Sequence, residues 1–319
     1  MRLRTIPIEK YAGAVLPVTA SLWAGQRDLQ TYVRQTNELA RSSYGRRNYR
    51  TVGLFEDNDW LASCKRYERT IDFNGKRLRA VGFGAVFTPQ ALRGQGYATT
   101  MLALLMDEAR QRRLDLGYLF SDIHPAFYAA LGFQECPSHT FTMASDSLPT
   151  DRVRSGRIED SDWRDVARCF RALESAERWR IERSAAVWDW IRVRVRQRAE
   201  NRTAQMVALA VRAKRRVIAY VIGQRQPLKD VFMLDELGWN GSAGRAAVAP
   251  LLRNAAGDLR RISGWLPPSS AIAPLHRYRT RKRTDAILMM APLSARARHF
   301  VEVASGDSAT DAVWSTDHI

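Results

Sequence analysis

The first half of the chain alternates between helical and extended hydrophobic patterns. Apolar positions over residues 12–46 follow a mixed helical spacing, which predicts one or two helices. Asn74-Gly75 is a strong hairpin signal between two alternating runs. The predicted strands are 49–55, 60–72, 76–87, 116–120 and 140–143, and the later predicted helices are 99–113 and 125–131.

The second half repeats this order after a polar, turn-rich stretch at 144–149, which we interpret as a linker. Residues 191–196 alternate like a strand but follow a helix-like Trp-rich segment, and we favour a helix. The other predicted elements are strands at 153–158, 206–211, 216–224, 231–237 and 262–266 and helices at 161–171 and 243–259. The two halves are therefore predicted to be diverged copies of one fold.

Composition limits the class of protein. With 319 residues, two domains are expected, and 45% hydrophobic residues exclude global disorder. Cys64, Cys136 and Cys169 are far apart and in no metal-binding spacing, so we expect a reducing compartment and no metal. No signal peptide and no apolar run of about 20 residues is visible, which leads us to expect a cytoplasmic protein that does not enter a membrane.

The charge suggests anionic ligands. The formal net charge is +17, from 50 Lys and Arg against 33 Asp and Glu. Such an excess suits phosphorylated ligands, acidic partners or RNA, and an arginine-rich solvated surface accounts for it equally well. Basic clusters occur at 192–198, 212–216 and 276–283, and the last of them interleaves Tyr278 with cations.

A glycine-rich turn joins the strand at 76–87 to the helix at 99–113. Its sequence is Arg93-Gly94-Gln95-Gly96-Tyr97-Ala98. A turn of this kind leaves several backbone N–H groups free at the positive end of a helix dipole. The sequence therefore predicts a phosphate site here. The strand before the turn has a face of small residues, including Ala80, Gly82 and Gly84, which would let a ligand or another backbone approach.

Three motifs in the first half resemble the GNAT family of acetyl-coenzyme A-dependent acyltransferases. They are the turn 93–98, the preceding strand end Ala85-Val-Phe-Thr-Pro89, and the later segment Ala126-Phe-Tyr-Ala-Ala-Leu-Gly-Phe133. The turn and the later segment lie in the family's order, about 30 residues apart. One departure is that three residues separate Pro89 from Arg93, where the family commonly has two, so the turn is expected to be wider.

The resemblance implies a fold and a donor. It implies an α/β (α+β) protein of two tandem GNAT-like domains, each a mostly antiparallel mixed sheet flanked by helices. We expect a catalytic domain at 1–146, a degenerate domain at 147–295 and a C-terminal tail at 296–319. The implied cosubstrate is acetyl-CoA, and its partner is an amine-bearing acceptor. The implied acetyl-CoA-binding residues are Val86, Phe87, Thr88, Arg93, Gly94, Gln95, Gly96, Tyr97, Ala98 and Thr99.

The resemblance also suggests how the reaction proceeds. The main chain of Val86, Phe87 and Thr88 would pair with the pantetheine arm, and Tyr128 would protonate the leaving thiolate. No cysteine has a matching base, so direct attack in a ternary complex is expected. The strand before the turn lacks a carboxylate to act as general base. The candidates are Glu68, Asp72, Asp122 and His124, or a chain of water molecules.

The second half lacks the turn motif, because the glycines of 238–245 are not in the family's order. Asp235 and Glu236, just before them, could face the cleft between the two predicted domains, and we favour the interpretation that they are strand-end carboxylates in water. The whole chain resembles the enhanced-intracellular-survival acetyltransferases without their sterol-carrier-like domain. Those proteins place their C-terminal carboxylate in the active site, a role that would fall to Ile319.

The sequence leaves the acceptor and one further class of function open. Antibiotic amines, polyamines, peptide N-termini and protein lysines all remain candidate acceptors. The alternative function is a non-catalytic acyl-CoA-binding module that contacts nucleic acid or protein through its basic faces. The oligomeric state is not predicted.

Overall fold

A computed structural model describes residues 1–122, 125–151, 153–200 and 204–318 of the chain. The chain divides into two compact units. Unit 1 comprises Met1–Pro137, Ile181–Val193 and Thr284–Ala309. Unit 2 comprises Ser138–Arg180, Arg194–Arg283 and Thr310–Ile319. Each unit is thus assembled from three separate segments of the chain.

The strands are β1 Arg2–Thr5, β2 Tyr49–Glu56, β3 Asp59–Phe73, β4 Lys76–Phe87, β5 Leu116–Ser121, β6 Gln134–Glu135, β7 His139–Ala144, β8 Ser155–Arg157, β9 Trp179–Ile181, β10 Gln205–Ala213, β11 Arg216–Gln226, β12 Val231–Trp239, β13 Arg261–Trp265, β14 Arg279–Lys282 and β15 Ile287–Pro292. The helices are α1 Ile8–Ala14, α2 Leu16–Trp23, α3 Leu29–Arg41, α4 Ser43–Asn48, α5 Tyr97–Gln111, α6 Pro125–Ala129, α7 Trp163–Glu174, α8 Ala185–Ala199, α9 Gly241–Ala256 and α10 Ala295–Ser305.

Unit 1 contains a mixed sheet in the order β1-β2-β3-β4-β5-β15-β6. Neighbouring strands along this path are antiparallel except β4 and β5, which are parallel. The β3–β4 hairpin turns at Asn74-Gly75, where both residues have positive φ, as the sequence predicts for a type I′ turn. Helix α5 buries Met101, Leu102, Leu105 and Met106 in the core against this sheet.

Unit 2 contains a second mixed sheet in the order β14-β7-β13-β12-β11-β10-β8. It is antiparallel except at β12–β13, the counterpart of β4–β5. Helices α7 and α9 pack against β11 and β12. The predicted fold class, two mixed sheets flanked by helices, is confirmed.

Several elements differ from the sequence prediction. The stretch 12–46 forms four helices, α1 to α4, and α1 begins at Ile8. The ambiguous residues 191–196 lie in α8 and are helical, as favoured. Elements β1, β6, β9, β14, β15 and α10 were not predicted. Short or isolated apolar runs such as Ile287–Ala291 gain their strand character from a distant partner, here β5.

Two strands, β7 and β15, complete sheets far from their neighbours in sequence. Strand β15 pairs with β5 and β6 in unit 1, and β7 pairs with β13 and β14 in unit 2. Helix α10, in the segment expected to be a tail, belongs to unit 1 and buries Phe300 and Val301. Whether the stretches 1–146 and 147–295 are separate domains stays a prediction.

Candidate active site

Strands β4 and β5 separate part of the way along their length. Their pairing begins with Ala80 opposite Leu116 and ends with Phe83 opposite Leu119. Strand β4 then continues to Phe87 with no pairing to β5 in the described part of the chain. The polar groups of the β4 main chain on that side are therefore available to a ligand that lies along the strand.

A β-bulge lies in this separated part of β4. Across β3, Gly84 pairs with Lys65 and Phe87 with Ser63, so Ala85 and Val86 together face one residue. Ala85 has a φ of 47°, a left-handed conformation that is unusual for a residue with a Cβ. Such strain persists only where the surrounding structure holds it, and it often occurs at functional sites. This bulge was not predicted, because an alanine does not mark a positive φ as a glycine does.

The glycine-rich turn has the conformation that its sequence predicts. Gly94 and Gly96 have φ values of 81° and 78°, and Gly96 precedes the first residue of α5. The Thr100 N–H makes the first hydrogen bond of the helix, donating to Gly96 O at 2.9 Å. The N–H groups of 94–99 precede it and stand at the positive end of the helix. The three residues between Pro89 and Arg93, Gln90–Leu92, form a 3-10 turn, and the expected widening relative to the family stays a prediction.

The other residues expected to bind the cosubstrate border these two features. Val86 and Thr88 are half-buried, and Arg93 is exposed with its Nε 3.3 Å from Thr88 O. Phe87 is buried, with its ring stacked on Trp60 at 5.8 Å. The remaining residues of the turn, Gly94, Gln95, Gly96, Tyr97, Ala98 and Thr99, are exposed or half-buried. The binding role of all of these residues stays a prediction.

Tyr128 lies in α6 against the core that contains Cys64 and Phe133. Its ring is edge-on to those of Phe127 and Phe133, at 4.9 and 6.2 Å between centroids. Burial, followed by the charge of Asp122, raises the pKa of Tyr128 to about 12. Its hydroxyl has no hydrogen-bond partner among residues 1–122, 125–151, 153–200 and 204–318. The phenol thus keeps its proton at neutral pH and has a free donor.

The candidate general bases are in different places. Glu68 is engaged by Arg112 at 2.5 Å, and Asp72 is buried and accepts the Gly75 N–H of the hairpin turn at 3.1 Å. Both carboxylates therefore hold local structure. Asp122 follows β5 and accepts the Ala286 N–H at 3.1 Å, and burial raises its pKa. It also contributes to the electrostatic environment of Tyr128. His124 and Ile319 lie outside the described residues.

The cysteines are poor nucleophiles in this fold. Cys64, Cys136 and Cys169 are buried and unbridged. Burial raises the pKa of each thiol to about 12. Since the thiolate is the reactive form, none of them is activated for attack at neutral pH.

Gly82 in β4 serves the protein core. A Cβ at this position would lie 2.0 Å from the ring of Tyr67. The small face of β4 is therefore filled by an aromatic side chain at Gly82, and not by a ligand.

A buried lysine, Lys65, lies in β3, where it pairs with Gly84 beside the bulge. The Lys65 side chain donates to Thr51 Oγ1 at 2.6 Å, and its Nζ is 3.6 Å from the centroid of the Tyr11 ring. Only 4% of the residue is exposed. Burial lowers the pKa of Lys65 to about 7.

This lysine makes folding depend on pH. An unfolded chain keeps the Lys65 proton up to its ordinary pKa of 10.5, whereas the folded chain loses it above about 7. The contribution of Lys65 to the free energy of unfolding should therefore rise between about pH 7 and 10, because its amine holds more protons in the unfolded state there. Below pH 7 both states hold the proton, and the full cost of burying the cation remains.

We expect Lys65→Met to flatten this rise and to be more stable than the wild type near pH 6. The exposed Lys10→Met variant should keep the wild-type slope. Urea unfolding at about pH 6, 7.5 and 9 measures both slopes. An unchanged slope in Lys65→Met would show that the amine is not the group that titrates.

The equivalent opening in unit 2 contacts the C-terminal tail. In the described part of the chain, the pairing of β12 with β13 begins with Val231 opposite Arg261 and ends with Leu234 opposite Gly264. At the next β12 residue, Ser315 Oγ donates to Asp235 Oδ1 at 2.9 Å. Glu236 is fully buried and accepts from Tyr220 Oη at 2.5 Å and from Thr316 Oγ1.

These contacts correct the interpretation of two carboxylates. Asp235 and Glu236 were expected to be in water, but both are buried and bonded. Asp235 also pairs with Arg198 at 2.7 Å. The tail supplies several of the partners, and its residues Ala312, Val313 and Trp314 are themselves buried. Alternation within β12 alone could not show that a segment 80 residues later would cover it.

The basic clusters are used in different ways. Arg192, Arg198 and Arg212 make ion pairs with Asp189, Asp235 and Asp162. In the third cluster Arg283 is buried, 3.6 Å from the Trp265 ring centroid. Strand β14, by contrast, has every residue from Arg279 to Lys282 exposed at an edge of its sheet.

The described residues contain neither a membrane-spanning helix nor a cluster of metal-binding side chains. In residues 1–122, 125–151, 153–200 and 204–318, no helix is both long and apolar enough to cross a membrane. The same part of the chain has no group of three or more His, Cys, Asp or Glu side chains arranged to hold a metal ion.

The sequence matches a known domain family in part, and the fold matches solved structures. The profile of the acetyltransferase (GNAT) domain matches residues 15–136. No curated protein matches the chain by sequence.

Solved structures share the fold at low identity. A probable N-acyltransferase of Enterococcus faecalis is 13% identical over 92% of this chain and 72% of its own, with a TM-score of 0.71. Eis1 of Mycobacterium abscessus is 12% identical over 94% and 75%, with a TM-score of 0.62. A tandem GNAT protein of the clavulanic acid biosynthesis pathway is 12% identical over 92% and 98%, with a TM-score of 0.52. Residues 15–136 of unit 1 therefore match the GNAT domain profile, and the chain shares the fold of tandem GNAT proteins.

Proposed function

We propose that unit 1 transfers an acetyl group from acetyl-CoA to a primary amine. One arrangement carries the proposal: β4 separates from β5 beside a bulge, and a turn with free N–H groups follows at the start of α5. The separated strand offers main-chain groups of Val86, Phe87 and Thr88 to the pantetheine arm. The turn offers the N–H groups of 94–98 to the pyrophosphate, with Arg93 beside it.

In the proposed step, the neutral amine attacks the thioester carbonyl carbon while both substrates are bound. The C–N bond forms, the C–S bond breaks, and the leaving thiolate takes the proton of Tyr128. The amine nitrogen gives its extra proton to Asp122, to His124 or to water. Transfer through an acyl-enzyme is disfavoured, because the thiols of Cys64, Cys136 and Cys169 are buried with raised pKa values.

One observation favours a second candidate function. Strand β14 exposes Arg279, Arg281 and Lys282 along a sheet edge, which suits an acidic partner such as RNA. The alternative is thus an acyl-CoA-binding module whose basic face contacts nucleic acid.

A thiol-release assay with acetyl-CoA separates the two functions. The acceptor panel would include an aminoglycoside, a polyamine, a peptide N-terminus and a protein lysine. We expect amine-dependent release with at least one class and no stable acetyl-enzyme without acceptor. Acetyl-CoA binding with no release on any amine, together with salt-dependent RNA binding, would favour the binding module.

A further inference from the structure

A cavity of about 220 Å³ opens in unit 1, away from the separated end of β4. Its walls come from α4, β3, the first half of β4 and the segment before α8, and they include Tyr44, Arg69, Arg79 and Ala80. Ala80 is five residues before the bulge residue Ala85, which is about 16 Å along an extended strand. The cavity is therefore separate from the glycine-rich turn.

The wall of this cavity contains a buried cation without a counter-charge. Arg69 is 6% exposed, and its guanidinium lies 4.8 Å from the centroid of the Tyr44 ring. Its Nε, Nη1 and Nη2 are all buried and have no hydrogen-bond partner among residues 1–122, 125–151, 153–200 and 204–318. A buried charge with no hydrogen bonds is costly, and a single aromatic face recovers only part of that cost.

The nearby carboxylates are engaged elsewhere. Glu68 pairs with Arg112 at 2.5 Å, and Glu182 accepts Nε and Nη2 of Arg77 at 3.1 and 2.6 Å. Arg79 lines the same cavity, is exposed, and makes no side-chain ion pair in the described part of the chain. Arg69 and Arg79 thus line a cavity whose acids, Glu68 and Glu182, are already paired with other arginines.

We propose that this cavity binds a small oxyanion, the carboxylate or phosphoryl group of a low-molecular-weight ligand. The planar fork of a guanidinium matches two oxygens of such a group, and Arg79 adds a second positive charge. Asn48, Thr70 and Ser184 in the walls add polar side chains for the rest of the ligand. The nitrogens of Arg69 are covered, so binding includes a rotation of its terminal torsions toward the cavity.

The test compares thermal unfolding in phosphate, in acetate and in chloride at equal ionic strength. We expect a concentration-dependent rise in Tm for phosphate or acetate over chloride, because a ligand that binds only the folded state stabilises it. The anion with the larger shift shows whether the site takes a phosphoryl group or a carboxylate. Arg69→Met should lose the shift, and Arg298→Met, an exposed arginine of α10, should keep it.

A second variant makes the test independent of any folding defect. Asn48→Asp places a carboxylate in the cavity wall, where it can pair with Arg69. We expect it to raise Tm in chloride and to remove the phosphate or acetate shift. The proposal is overturned if the wild type shows no shift beyond chloride or if Arg69→Met retains it. This result is independent of acetyltransferase activity.

Discussion

Replacing Gly96 by Asp should weaken acetyl-CoA binding by about 100-fold or more, while the protein stays folded. Gly96 precedes α5 with a φ of 78°, and a Cβ there would meet no atom within 4 Å. Aspartate tolerates this conformation better than most residues and stabilises a helix N-terminus. Its charge, however, would stand where the pyrophosphate is proposed to bind. If the carboxylate and a phosphate charge lie about 7 Å apart in an effective dielectric constant near 20, their repulsion is about 2 kcal/mol for each unit of phosphate charge.

Gly96→Asn is the matched control, since asparagine has nearly the same shape and no charge. We expect it to weaken binding by about 10-fold or less, because it adds bulk without repulsion. Calorimetric titration with CoA at low and high salt measures the difference, which should shrink as salt screens the charge. Equal affinities for the two variants would place the pyrophosphate away from this turn.

Replacing Tyr128 by Phe should lower kcat by about 100-fold or more with little change in the affinity for acetyl-CoA. A positioned general acid contributes about 10²–10⁴ to a rate, and the Tyr128 hydroxyl makes no hydrogen bond that holds the described structure together. The pKa of about 12 keeps the proton on the phenol through neutral and moderately alkaline pH. Because the ring remains, its packing against Phe127 and Phe133 is preserved and Tm should not fall.

Steady-state kinetics on the most active amine of the thiol-release panel measures this effect. Tyr32→Phe, a buried tyrosine of the helical cluster around α1 to α3, serves as the control and should leave kcat near the wild-type value. A wild-type kcat in Tyr128→Phe would leave Tyr128 as an ordinary core aromatic. The thiolate would then take its proton from water or another group.

Local sequence signals predicted the parts of the site that depend on backbone chemistry. Gly94 and Gly96 mark positive φ angles, and both angles are present. Asn74-Gly75 predicted a tight hairpin and therefore the pairing of β3 with β4. Such features follow from the conformational freedom of one or two residues, so no distant partner is needed to recognise them.

Features that depend on distant partners were not predicted. The bulge at Ala85 arises from its register with β3, and alanine carries no mark of it. Lys65 and Arg69 resemble surface cations in the sequence, yet both are buried beside tyrosines of α1 and α4. Glu236 resembles a solvated strand end, but Thr316, 80 residues later, covers it.

The GNAT-like order of elements, the glycine-rich turn and the tyrosine that follows it could be predicted without the fold, because periodicity and glycine conformation are local properties. Only the folded chain shows that β15 completes the sheet of unit 1, that β4 separates from β5 after Phe83, and that the guanidinium of Arg69 has no hydrogen-bond partner within the described residues. The physical reason is that strand pairing and burial are set by residues far away in the chain, and burial changes what a charged side chain can do.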